Sequence, residues 1–284
     1  MYDYLGVVGA GVMGTGVAQV FAQSGYKTIL VDISKEQLEK AKNKIRQNLR
    51  FQRLLTNREI SESADTVLER IKFTTDYNEL SKVGFLIENV TENWEIKKGV
   101  YQKLTEICND DCIFGVNTSA ISITRIGSVT KKAQNVIGIH FMNPVPLKAM
   151  VEVIKGVHTS EETIKRTKEL LKSIGKDSIV VNDSVGFVTN RAMMIFINEA
   201  AFMLQEQVAS AEDIDTLFKQ CFGHKMGPLQ TADLIGIDTV LRSLEVLYEG
   251  YNDSKYRPCP LLKKMTDAGL HGMKSGKGFY NYEV

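Results

Sequence analysis

The run Gly9-Ala10-Gly11-Val12-Met13-Gly14 constrains this chain more than any other segment. It follows a short apolar stretch, Tyr4–Val8, and opens a segment, residues 12–24, whose apolar side chains recur at helical spacing until Gly25. A β-rich run, Lys27–Val31, comes next and ends at Asp32. Each glycine has its own use in such a β-turn-α-β unit. Gly9 makes the tight turn, Gly11 lets the backbone approach a pyrophosphate, and Gly14 lets helix and strand pack closely. A carboxylate at Asp32 accepts hydrogen bonds from the adenosine ribose 2′-hydroxyl and repels a 2′-phosphate, so the pattern predicts NAD rather than NADP. A bare glycine-rich turn would not bring the strand, the helix and the acidic residue with it.

Past Asp32, Ser34 begins a helix signature, SKEQLEKAKNKIRQNLRFQRLL. Residues 87–90, 136–139, 150–154 and 179–181 read as further strands, with a Pro-rich turn at 143–146. Strands alternating with helices predict a Rossmann-type doubly wound, mostly parallel sheet, an α/β fold. The 284 residues leave room for a second domain. From Gly186 to about Leu247 the pattern is helical only, broken by turns at Gly223, Gly227-Pro228 and Gly236. The expected division is an NAD-binding domain over 1–182 and an all-helical C-terminal domain over 183–284. The Gly-rich, aromatic tail 274–282 suits an ordered loop lying against the body.

Charge narrows the partners. Lys and Arg number 35 against 34 Asp and Glu, so the chain lacks the basic excess that bulk nucleic-acid or membrane-surface binding needs. No signal-like segment and no long apolar run is visible, which predicts a protein that is cytoplasmic or lies in a compartment reached without such a signal. The cysteines 108, 112, 221 and 259 form no disulfide or metal framework and are expected to be plain thiols.

The candidate chemistry centres on His140, which ends the run VIGIH just before the Pro-rich turn, where open α/β sheets place their site residues. Glu152 lies across that turn within MVEVI, so a hairpin-like return brings a carboxylate to the imidazole. A histidine so paired is an oriented general base whose cationic form is stabilised, as proton abstraction from an alcohol requires.

Six separated motifs extend this reading: NTS at 117–119, HFMNPVP at 140–146, VE at 151–152, GFVTNR at 186–191, MGP at 226–228 and GKGFY at 276–280. Together they resemble the L-3-hydroxyacyl-CoA dehydrogenase family along essentially the whole chain. The resemblance implies NAD-dependent oxidation of a 3-hydroxyacyl thioester to the 3-oxoacyl thioester, of the short bacterial type acting on hydroxybutyryl-CoA in fatty acid metabolism. It implies that His140 removes the 3-hydroxyl proton, that Glu152 orients His140, and that Ser119 and Asn190 hold the hydroxyl and thioester region. It implies too that Asn143 shapes the same pocket, that Glu92 and Lys97 in TENWEIK line the ribose and nicotinamide side of the cofactor, with Asn117 beside them, and that two chains form a homodimer through the helical domain, for which the apolar stretch 192–203 is a candidate. No metal is needed, because hydride transfer from an alcohol runs on the cofactor and one base.

Two departures from the family pattern bear on substrate. The family's VMKLVE is here Leu147-Lys148-Ala149-Met150-Val151-Glu152, which moves the lysine one place earlier, and the helix after Asp32 ends in Leu54-Leu55 while keeping Arg50 and Arg53, which can hold a phosphate. These changes keep open a second substrate, a hydroxyacyl group on an acyl-carrier protein, such as a glyceryl unit oxidised on the way to a hydroxymalonyl extender in polyketide biosynthesis. The basic residues Lys40, Lys42, Lys44, Arg46, Arg50 and Arg53 would meet such an acidic carrier. An NAD-binding protein without turnover, and a dehydrogenase of free hydroxy acids, are the remaining alternatives.

Overall fold

A computed structural model describes residues 2–55 and 62–282, the side chains of 52–55 excepted. It divides into two compact units, one ending at Asp183 and the other beginning at Ser184.

The first unit runs β1 (Tyr4–Val8), α1 (Val12–Gln23), β2 (Lys27–Val31), α2 (Lys35–Leu55), α3 (Ala64–Glu69), β3 (Ile71–Thr74), β4 (Phe85–Glu88), α4 (Trp94–Ile107), β5 (Ile113–Val116), α5 (Ile123–Gly127), β6 (Val136–Phe141), β7 (Met150–Lys155), α6 (Glu161–Ser173) and β8 (Asp177–Asn182). The strands form one sheet in the order β3-β2-β1-β4-β5-β6-β7-β8. All neighbours pair in parallel except β6 and β7, which are antiparallel. Strands covered by helices on both faces read as continuous apolar runs, and β1 is buried from Leu5 to Val8. Helix α2 shows the complementary pattern: Leu38, Ala41, Ile45 and Leu49 enter the core while the intervening basic residues stay at the surface.

The sheet order reverses between β1 and β4, where doubly wound folds bind ligands outside the carboxyl ends of the strands. Gly9 sits there with φ of +90°, and a Cβ on Gly14 would lie 1.8 Å from the Gly9 carbonyl oxygen, so both positions need glycine.

Several strand limits differ from the sequence reading. Strand β4 ends at Glu88 rather than continuing to Val90, because the Val90 N–H donates to the Glu88 carboxylate instead of to a neighbouring strand. Strand β6 runs on through His140 to Phe141, because β7 keeps pairing with it as far as Val151, so His140 lies within the strand and not beyond it. Strand β8 is longer at both ends, pairing with the full length of β7.

The second unit contains α7 (Thr189–Gln205), α8 (Ala211–Phe222), α9 (Pro228–Ile235), α10 (Ile237–Tyr251) and α11 (Pro260–Asp267), with isolated bridges in the tail as its β structure among the described residues. Helix α10 buries Ile237, Val240, Leu241, Leu244 and Leu247, the spacing of one helical face. Two buried carboxylates hold the tail. Asp233 accepts from Phe279 N, Tyr280 N and the Tyr282 hydroxyl, and Asp215 from Leu229 N, Gln230 N and the Tyr280 hydroxyl. Most of the stretch 192–203 serves this unit's own core, with Met194, Ile197, Ala200 and Ala201 buried, which leaves less of it for a subunit contact than its composition suggests. No helix among the described residues is long and apolar enough to cross a membrane.

Candidate active site

The glycine turn leads straight into α1, whose N-cap is Gly11 and whose first turn has no side-chain cap. A Cβ added at Gly11 would meet nothing within 4 Å, so the backbone here is open to close approach. Uncapped N–H groups at the positive end of a helix accommodate a pyrophosphate. Asp32, following β2, gives one carboxylate oxygen to Ala10 N at 2.7 Å and the other to Ser34 N at 2.9 Å. These bonds fix the carboxylate beside the turn and leave lone pairs for ribose hydroxyls. The cradle fits a dinucleotide without a 2′-phosphate.

At the far side of the sheet's carboxyl edge, the antiparallel register sets His140 directly opposite Glu152. Their side chains share a face and meet, with Nδ1 at 3.1 Å from Oε2, and only 6% and 5% of the two residues is exposed. An ionised carboxylate only accepts, so Nδ1 carries the proton and Nε2 is left as an acceptor. The Ser119 hydroxyl, on the loop after β5, lies 3.2 Å from that Nε2. The result is a chain of hydroxyl, imidazole and carboxylate.

The neighbouring polar residues have other duties. Lys97 on α4 is wholly buried rather than lining a surface: its ammonium meets both oxygens of Glu88 at 2.9 and 2.8 Å and the Asn117 carbonyl at 3.1 Å. Burial pushes the Glu88 carboxyl above its ordinary range, with Lys97 opposing the shift. Asn117 is nearly buried, its amide donating to Asn89 Oδ1 at 2.7 Å. Glu92 accepts from the Thr118 hydroxyl and from the backbone N–H groups of residues 119–121.

The loop between β6 and β7 carries Asn143, which is exposed and precedes a cis proline. Its inner residue, Val145, packs where a Cβ on Gly16 of α1 would sit, tying the loop to the cofactor helix. Lys176, buried just before β8, donates to the Val145 and Lys148 carbonyls at 2.7 Å each, and desolvation lowers its ammonium below the usual lysine value. The Lys148 side chain itself is exposed. On α2, Arg50 is exposed, while Lys40 pairs with Glu36 and Arg46 with Asp65. The Arg53 side chain lies outside the described residues. Asn190 lies in the first turn of α7, in the second unit.

Glu88 and Lys176 escaped the sequence reading. Glu88 had a signal, a lone charge ending the apolar strand FLIE. Lys176 had none, because nothing local distinguishes it from the many lysines of the preceding α6.

Known proteins match this chain along nearly its whole length. Residues 4–184 match the sequence model for the 3-hydroxyacyl-CoA dehydrogenase NAD binding domain, and residues 186–282 that for the 3-hydroxyacyl-CoA dehydrogenase C-terminal domain. A probable 3-hydroxybutyryl-CoA dehydrogenase of Deinococcus radiodurans is 44% identical over 277 residues, covering 98% of this chain and 99% of the relative. A 3-hydroxybutyryl-CoA dehydrogenase of Bradyrhizobium diazoefficiens is 41% identical over 279 residues, covering 98% and 94%. The crystal structure of (S)-3-hydroxybutyryl-CoA dehydrogenase from Ralstonia eutropha superposes with a TM-score of 0.94 at 40% identity, covering all of both chains. The chain belongs to the 3-hydroxyacyl-CoA dehydrogenase family and is an NAD-dependent enzyme of it.

Proposed function

We propose that the chain oxidises the 3-hydroxyl of (S)-3-hydroxybutyryl-CoA to the 3-oxo thioester, with His140 as general base and Glu152 as the residue that orients it. The observation that carries this reading is the buried His140–Glu152 pair, with Ser119 at Nε2. NAD, when bound, supplies the hydride acceptor. The substrate hydroxyl takes its place beside the Ser119 hydroxyl, and its proton passes to His140 Nε2. The imidazolium so formed is held by the Glu152 carboxylate through Nδ1–H, which lowers the cost of charging a buried ring. Ser119 is assigned to the substrate's hydroxyl, and Asn143 to the wall of the same pocket. Asp32 selects NAD. The relatives named for 3-hydroxybutyryl-CoA support the substrate, and the exposed Arg50 supplies a cation for the CoA phosphates.

Replacing His140 with Gln tests the base. Turnover is expected to fall by about 10³-fold or more while NADH binding, followed by fluorescence, stays intact. Turnover near that of the parent enzyme would assign the proton to another group. We infer further that two chains pair through exposed apolar side chains of the second unit such as Leu217 and Phe222, a monomeric sedimentation coefficient at micromolar concentration being the contrary result.

A further inference from the structure

Glu92 follows β4, and one of its oxygens, Oε1, is occupied by the loop that bears Ser119. It accepts from Ser119 N at 3.2 Å, Ala120 N at 3.0 Å and Ile121 N at 3.4 Å, and from the Thr118 hydroxyl. Three successive N–H groups converging on one carboxylate oxygen form a nest that a backbone adopts around an anion. Thr118 adds a second layer, its Oγ1 accepting from Ala120 N at 3.3 Å and Ile121 N at 2.9 Å while its proton goes to Glu92. The other end of the loop is held separately: Asp183 accepts from the Ser122 hydroxyl at 2.7 Å and from Thr124 N at 2.8 Å. Ser119 lies on the Glu92 side of this suspension, with its own N–H bonded to Glu92 and its hydroxyl at His140 Nε2.

We propose that Glu92 is a positioning residue for the reaction, acting through the 118–121 loop to hold the Ser119 hydroxyl against His140, and that this role is separable from any contact with the cofactor. The inference rests on the reading of His140 and Ser119 given above. Without the carboxylate, Ser119 N turns to water, Ala120 N and Ile121 N keep only Thr118 Oγ1, the Thr118 hydroxyl loses its own acceptor, and the Ser119 hydroxyl moves away from the imidazole. A displacement of about 1 Å in such a group is worth about 10²-fold in rate.

The test is a double-mutant cycle of Glu92→Ala and Ser119→Ala in the full chain, with steady-state kinetics on 3-hydroxybutyryl-CoA and NADH fluorescence titration. Glu92→Ala is expected to lower kcat at saturating NAD by about 10²-fold, whatever it does to the KM for NAD, and to cost less than about threefold in kcat when Ser119 is already Ala. Glu92→Gln, which keeps a neutral acceptor in the nest, is expected to recover about tenfold of the loss and guards against a folding defect in the alanine variant. Full additivity of the two substitutions, or a weakened NADH affinity with kcat preserved, overturns the proposal. Either result leaves the His140 assignment standing, because that assignment fails only when His140→Gln retains turnover.

Discussion

Replacing Glu152 with Gln removes a charge and keeps the volume, so it isolates what the carboxylate does for His140. With Nδ1 and Oε2 3.1 Å apart, the charge centres of imidazolium and carboxylate lie about 4 Å apart, worth about 4 kcal/mol at an effective dielectric constant near 20. The pair is almost completely buried, so the small value of a solvent-exposed ion pair does not apply. Loss of that stabilisation as the proton arrives lowers kcat by about 10³-fold, at about 1.36 kcal/mol per factor of ten. A Gln at 152 can also offer its amide N–H to Nδ1. That favours the tautomer protonated at Nε2, which cannot accept a proton, and carries the loss toward about 10⁴-fold. NADH absorbance from 3-hydroxybutyryl-CoA gives kcat, and circular dichroism confirms that the variant is folded. A folded Glu152→Gln enzyme within about tenfold of the parent kcat would refute the electrostatic argument.

Asp32→Ala removes the carboxylate that accepts from two backbone N–H groups beside the glycine turn, and with it the charge assigned to face the ribose. The KM for NAD should rise by about 10- to 100-fold, the value of hydrogen bonds to a charged group, while NADP becomes a usable cofactor; unchanged selectivity in paired NAD and NADP assays would remove Asp32 from the site. Lys176→Met tests the buried ammonium behind the catalytic loop. Its folded-state pKa lies below the ordinary 10.5, so between the two values the unfolded chain holds more protons than the folded one. Stability from this group is therefore level at lower pH and rises with pH through that window. Urea titrations should show the parent gaining on the Met variant as pH approaches about 10.5, and a gap that narrows instead would contradict the placement.

Much of this architecture was legible in the sequence because its strongest signals are local. The glycine turn carries its own conformational demands at Gly9 and Gly14, and the apolar runs of β1 and β2 need no distant partner to be read. The pairing of His140 with Glu152 was legible because a single turn separates them, although the exact register is fixed only by the antiparallel pairing of β6 with β7. The pairing of Lys97 with Glu88 was not legible, because it joins the first turn of α4 to the end of β4 across a loop whose course no residue pattern encodes. Lys176 and the Glu92 nest were illegible for the same reason. Each depends on where a distant loop places its carbonyl or N–H groups, which no residue pattern encodes.

In the proposed reaction, bound NAD takes hydride from C3 of a CoA-linked hydroxyacyl group. Its most direct test compares NADH formation at saturating NAD from (S)-3-hydroxybutyryl-CoA, from the same acyl group on a carrier protein, from glyceryl carrier protein and from free 3-hydroxybutyrate. The account predicts that the CoA ester has the highest kcat/KM and that the free acid is essentially inert. A carrier-linked substrate or the free acid outrunning the CoA ester would contradict it.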